Sequence, residues 1–388
     1  MKIVVAPDSF KGTATAAAVA TAVAEGWALE RPEDHVLLAP MADGGEGTLE
    51  AFATAFPEAE RVPVTVTGPA GAPVETHWLR LPDGRAVVQL AAASGLPLLG
   101  GDLRPDTASS LGFGQAISAA LDSGASGLVL GIGGSASTDG GVGMFAGLGA
   151  RVLGAPVIGA RVLGAGVLSA ETSERESDGA GGPDVRSGAS LLDDVTGLDT
   201  AGLRALPPLG AVVLTDVTSP LLGPAGAAAV FGPQKGITPE RIETFDDRLA
   251  RWARCFPDVD PSTPGAGAAG GVGFGLLAWG ATLAGGAVAV ADVLGLPAML
   301  DGADVVVTGE GRFDGQSAVG KVPTVVRGLA GPARTMLVAG AIDAPLDGWD
   351  AAASLTVIAT QTTGEPDDAL RDPVRFARIA GQRLARLA

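Results

Sequence analysis

The chain has 388 residues, 47% of them apolar and 18% charged, and a formal net charge of −17 at pH 7. Such a composition supports a large folded core of two or three domains and excludes a disordered chain, while the acidic balance excludes a nucleic-acid partner, whose phosphates require a basic surface. The one cysteine, Cys255, excludes an intramolecular disulfide framework and fits a reducing compartment.

In chain order, Lys2 to Ala6 reads as a strand, followed by the loop Pro7-Asp8-Ser9-Phe10-Lys11-Gly12 and an alanine-rich helix from about Thr15 to Glu30. A second strand, Val36 to Ala39, feeds Met41-Ala42-Asp43-Gly44-Gly45-Glu46-Gly47 and a helix over Thr48 to Ala55. Strand–loop–helix twice over marks a parallel sheet. From about Pro63 the pattern changes to short alternating runs, Val62–Thr67, Val74–Leu81 and Ala86–Ala91, read as antiparallel strands of a second domain. A helix near Ser110–Ser123 and a strand at Leu128–Leu130 lead into Gly131-Ile132-Gly133-Gly134-Ser135-Ala136-Ser137-Thr138-Asp139-Gly140-Gly141. Residues 149–168 hold a short tandem repeat, too brief for a solenoid. Glu171 to Ser190, polar and glycine-rich, reads as a mobile surface loop without chemistry. A strand over Ala211–Thr215 ends in Asp216, and a charged helix spans Pro239 to about Phe256. After Ala303 the α/β pattern returns, with strands at 304–308, 335–340 and 355–359, a helix at 322–330 and a terminal amphipathic helix from Pro373. The expected architecture is a parallel-sheet domain built from both chain ends, 1–62 and 296–388, with an inserted mixed α/β domain over 63–295 and the ligand cleft between them.

No apolar run is long enough for a membrane helix, and Met1-Lys2 enters the first strand without a signal-peptide pattern, so a cytoplasmic protein with no membrane partner is expected. Both a monomer and a homo-oligomer stay open. The two histidines, His35 and His77, lie outside acidic or glycine-rich clusters, and tyrosine is absent, which argues against a Ser-His-Asp triad or a His-ligated zinc site. Of four lysines, Lys11, Lys235 and Lys321 stand in the glycine-containing runs SFKG, PQKG and VGKV, where a compact ammonium suits phosphate.

The glycine-rich loops do not match the familiar nucleotide signatures. GIGGSA resembles a dinucleotide fingerprint but lacks the acidic residue about twenty positions on; Gly133, Gly134 and Ser135 remain suited to cradling phosphate with backbone N–H groups. Gly315 to Lys321 has P-loop spacing, yet Val322 stands where Mg²⁺ needs a hydroxyl. Against these, Asp8, Asp43, Glu46, Asp139, Asp216, Glu310 and Asp314 all follow strands or sit in their loops. A lone loop aspartate is usually a cap or turn residue. Seven acids beside three lysines and Arg312 fit phosphoryl transfer better, which needs cations, Mg²⁺ ligands and a carboxylate for the attacking hydroxyl.

VVAPDSFKG, PMADGGEGTLEA, GIGGSASTDGGVGM, DVTSPLLGPAGAAAVFGPQKG, PGAGAAGGVGFG and VVTGEGRFDGQSAVGKVP together resemble the bacterial type I glycerate kinase family over nearly the whole chain. The chain departs from that pattern at Gly12-Thr13 and in a longer, repetitive stretch over 151–190. The resemblance implies a flavodoxin-like domain from the chain ends, an inserted α/β domain, and ATP- and Mg²⁺-dependent phosphorylation of D-glycerate at the 2-hydroxyl. It makes Lys11, Asp216, Glu310, Arg312, Asp314 and Lys321 catalytic candidates, with Asp216, Glu310 and Asp314 also candidates for the metal. Asp8, Ser9, Asp43, Glu46 and Ser317 would meet the substrate, and Gly133, Gly134, Ser135 and Asp139 the nucleotide. An Mg²⁺-dependent phosphatase or ATPase, or a kinase of another small hydroxy acid, would use the same acids and stays open here.

Overall fold

The computed structural model describes residues 1–10, 12–41, 44–45, 47–154, 186–315 and 321–388. Lys11, Asp43, Glu46, Ser317 and residues 171–185 of the expected surface loop lie outside the described residues. In chain order the strands are β1 (Lys2–Pro7), β2 (His35–Leu38), β3 (Glu60–Thr67), β4 (Pro73–Arg80), β5 (Arg85–Gln89), β6 (Gly127–Gly131) and β7 (Arg151–Leu153). They continue as β8 (Gly197–Asp199), β9 (Ala211–Leu214), β10 (Thr282–Ala284), β11 (Val305–Phe313), β12 (Arg334–Ile342) and β13 (Ala351–Ser354). The chain divides into two compact units, Met1–Asp43 with Gly47–Glu58 and Gly285–Ala388, and Gly44–Glu46 with Ala59–Ala284. No helix among the described residues is long and apolar enough to cross a membrane.

The first unit is built on a five-stranded parallel sheet in the order β13-β12-β11-β1-β2. Counted within the unit this is 2-1-3-4-5, the flavodoxin-like order, and the direction of winding reverses between β1 and β11. The near-continuous apolar runs Ile3–Ala6 and Val305–Val307 follow from burial on both faces of a parallel sheet. Ile3, Val5, Val305, Val307, Met336 and Val338 meet one face's helices, where Trp27, Phe376 and Leu384 are fully buried. Each such large side chain contributes roughly 1.5–3 kcal/mol. Thr15 caps the helix Ala16–Glu30 by accepting from the Ala18 N–H at 3.2 Å.

Two elements differ from the sequence expectation. The strand expected to end at 308 runs on to Phe313, so Glu310 and Arg312 belong to β11 rather than to a loop. Gly309 explains this: a Cβ there would stand 2.0 Å from the Val338 carbonyl oxygen, so the glycine permits close strand pairing instead of ending the strand. Residues 355–359 form the start of a helix, Leu355–Thr363, not a strand. Its β-branched run suggested a strand, but Ser354 caps it, and Leu355, Ile358 and Ala359 are buried at helical spacing.

The second unit carries a six-stranded sheet in the order β10-β9-β6-β5-β4-β3. The pairs β3–β4 and β4–β5 are antiparallel and the rest parallel. Its core includes Phe113, Leu130, Val213 and the aromatic group Phe145, Trp252, Phe256 and Phe274. The end of the expected mobile loop is in fact ordered: Gly188–Asp193 is a short 3-10 helix with Leu192 buried, and Arg248 holds Asp193 through two bonds of 2.8 Å.

Candidate functional site

In an open α/β sheet the ligand crevice forms beyond the carboxyl ends of the strands where the winding reverses. In the first unit that point lies past β1 and β11. The two strands are in register from Ile3↔Val305 to Pro7↔Gly309, and Thr308 Oγ1 donates to the Ala6 carbonyl at 2.8 Å. The Asp8 N–H then donates to the Gly309 carbonyl at 2.8 Å, which sets Asp8 beside the residue preceding Glu310. Asp8 Oδ1 in turn accepts from the Ser9 N–H at 2.6 Å.

Glu310 is 6% exposed, and its Oε1 is buried with no hydrogen-bond partner among the described residues. Such an atom is costly to leave unmatched and is a reason to look for a ligand. Its Oε2 faces Lys321 Nζ at 3.6 Å, and the same ammonium lies 3.9 Å from Asp314 Oδ1. Lys321 immediately precedes the helix Val322–Leu329, whose first turn carries Pro323. The strand end and the helix start thus bring Glu310, Asp314 and Lys321 together, with Asp8 and Ser9 adjacent across the β1–β11 pair. Arg312, two residues beyond Glu310, pairs with Asp343 at 2.6 Å in an exposed position.

Among the described residues no group of three or more His, Cys, Asp or Glu side chains forms a metal cage. Mg²⁺ does not require one, since it keeps several waters and is held by one or two carboxylates plus phosphates. The orphaned oxygen of Glu310 and the nearby Asp314 carboxylate fit that pattern. Asp216 belongs to the second unit, just after β9; it is exposed and makes no ion pair among the described residues.

In the second unit, the loop after β6 lines a cavity of about 530 Å³. Gly133, Gly134 and Ser135 form part of its lining, as does Lys235, which the sequence marked only by its PQKG setting. Lys235 is 2% exposed and donates to Ser135 Oγ at 2.6 Å and to the Ser137 carbonyl at 2.5 Å. Burial lowers its ammonium to about 7, against the opposing charge of Asp139. Ala269 also lines the cavity and holds a left-handed φ of 55°, a strained conformation for a residue with a side chain.

Asp139, expected at the nucleotide, turns inward instead. It is fully buried and accepts from Ser110 N–H (2.9 Å), Ser110 Oγ (2.8 Å), Ser137 Oγ (3.0 Å) and Gly141 N–H (3.2 Å). With both oxygens occupied it shapes the loop. Ser110, its main partner, was not among the expected residues; nothing in the sequence links it to a loop 29 positions away.

A family model described as the glycerate kinase family matches residues 3–388. The chain is 39% identical over 338 residues to glycerate 2-kinase of Escherichia coli (strain K12), covering 85% of this chain and 82% of that one. It is 40% identical over 331 residues to glycerate kinase of Bacillus subtilis (strain 168), covering 83% and 80%. A solved structure of a Salmonella typhimurium LT2 protein assigned as glycerate kinase 2 is similar over 100% of this chain and 97% of that one, with a TM-score of 0.79 and 38% identity.

Proposed function

The chain belongs to the glycerate kinase family, and on that premise we propose that it transfers the γ-phosphoryl group of ATP to the 2-hydroxyl of D-glycerate, giving 2-phosphoglycerate and ADP. The observation that carries this reading is the Glu310–Asp314–Lys321 cluster at the carboxyl end of β11, beside Asp8 and Ser9, where the sheet order reverses. The relative named glycerate 2-kinase supports the 2-hydroxyl as acceptor.

Phosphoryl transfer needs positioned charge more than covalent chemistry. Glu310 presents a buried, unsatisfied oxygen at the strand end and is the group to take the proton of the attacking hydroxyl. As that proton leaves, the hydroxyl oxygen bonds to the γ-phosphorus and the bond to the bridging oxygen of ADP breaks. Lys321, already facing two carboxylates, offsets negative charge on the transferring group. Arg312 serves the glycerate carboxylate as a planar two-donor partner, with Asp8 and Ser9 on the substrate hydroxyls. Within the first unit Asp314 would hold Mg²⁺ together with phosphate oxygens, and the ion when bound would neutralise and align those oxygens.

The test is incubation with ATP, Mg²⁺ and D-glycerate, following ADP by a coupled assay and the product by ³¹P NMR. Glycerate-dependent ADP and a 2-phosphoglycerate resonance are expected. Equal ADP release without glycerate would make the protein an ATPase, and 3-phosphoglycerate would overturn the regiochemistry.

A further inference from the structure

We infer that the cavity of the second unit seats the nucleoside polyphosphate and that Lys235 is the side chain that holds its phosphates; this rests on the phosphoryl-transfer reading above and adds to it a residue and a pocket. The volume, about 530 Å³, falls in the roughly 300–1,000 Å³ range of small-molecule sites. Leu96, Leu103, Val217 and Phe231 give the cavity an apolar wall suited to the faces of a flat base. The opposite character is concentrated at Gly133, Gly134, Ser135 and Lys235.

The state of Lys235 separates this from a purely apolar pocket. An ammonium has three N–H donors; two go to Ser135 Oγ and the Ser137 carbonyl, and the third has no acceptor among the described residues. Lys235 makes no ion pair among the described residues; the buried Asp139 attracts it from beyond ion-pair distance while its own oxygens accept from Ser110, Ser137 and Gly141. Asp139 offsets only part of the burial, which still lowers the ammonium to about 7, and an apolar ligand would leave that penalty in place. A phosphate supplies both the missing acceptor and a counter-charge in direct contact. The Gly134 N–H, also without an acceptor among the described residues, adds a backbone donor to the same lining. The chain keeps room for the ammonium at Gly270, φ 70°, where a Cβ would stand 2.8 Å from Lys235 Nζ and 2.1 Å from the Ser137 oxygen.

The experiment is calorimetric titration of the full chain at pH 6.5 with ADP, adenosine and tripolyphosphate separately. Lys235→Met is expected to weaken ADP and tripolyphosphate by about tenfold to a hundredfold, the loss typical of a charge-assisted bond, and to leave adenosine unchanged. Leu103→Trp, at a lining position 42% exposed, is expected to weaken ADP and adenosine at least tenfold and to spare tripolyphosphate. Unchanged ADP affinity in both variants, or no ADP binding by the wild type, overturns the assignment. Should circular dichroism show Lys235→Met unfolded, Leu103→Trp decides alone. A wild type that binds ADP with this pattern yet makes no phosphoglycerate would keep the nucleotide seat and lose the kinase reading.

Discussion

At the residue scale, Lys321 is the cation closest to the proposed chemistry, within 3.6 Å of Glu310 and 3.9 Å of Asp314. Its side chain is 39% exposed, so the two pairs add little to stability. Lys321→Ala is therefore expected to lower kcat/KM by about a hundredfold, roughly 2.7 kcal/mol of transition-state stabilisation, with an unaltered melting curve. Unchanged kinetics would remove Lys321 from the site. Lys235 leads to a stability expectation. Burial lowers its folded-state value to about 7, while the free side chain titrates at 10.5. Between those values the unfolded chain binds more protons, so stability gains from this group as pH rises through that window, and the full penalty is present below about 7. Lys235→Met removes the titration, so its Tm should rise less than that of the wild type between pH 7 and 9. Parallel Tm profiles would show that Lys235 is not the group responsible.

At the scale of elements, the places of Asp8, Asp216 and Asp314 just beyond strands could be read directly, because a buried apolar run followed by glycines and charges is the mark of a strand that leads into a loop. What the string of letters hid was packing. Gly309 reads as a loop signal, and only the Val338 carbonyl 2.0 Å from its would-be Cβ shows it to be a close approach within a sheet. The run Leu355 to Ile358 is β-branched enough to suggest a strand, and the Ser354 cap decides otherwise. Asp139 looks like any loop aspartate until Ser110 closes on it, and the scarcity of lysine marked Lys235 without revealing its burial. Gly309→Ala tests the close approach. It should force β11 and β12 apart, lower stability by about 3 kcal/mol or more, and displace Glu310, so that denaturant midpoint and kcat fall together. An unchanged midpoint would mean that β12 yields without cost.

At the scale of the whole molecule, the excess of 17 negative charges sets the response to salt. The exposed ion pairs, such as Arg104–Asp102 at 2.7 Å, are each worth about 0–1 kcal/mol and weaken as salt rises. Self-repulsion among the unmatched acids is relieved by the same screening, and with 43 acidic against 26 basic side chains it is the larger effect. Melting temperature should rise by on the order of a few degrees between 10 and 150 mM NaCl. A fall would show that the surface pairs outweigh the repulsion.

The position of β1 has a bearing on how the protein is made. It lies at the centre of its sheet, with β2 on one side and β11, some three hundred residues later, on the other. The helix Ala16–Glu30 shares its core with residues of the C-terminal helix Pro373–Ala385. A nascent chain on the ribosome therefore holds Ile3–Ala6, an apolar run with an open edge, without its β11 partner until Val305–Phe313 has been made. The contiguous stretch Ala59–Ala284 has its own sheet and core and can fold while that run waits. Synthesis thus leaves the flavodoxin-like sheet to close after the second unit has been made, with the edge of its central strand open in the interval.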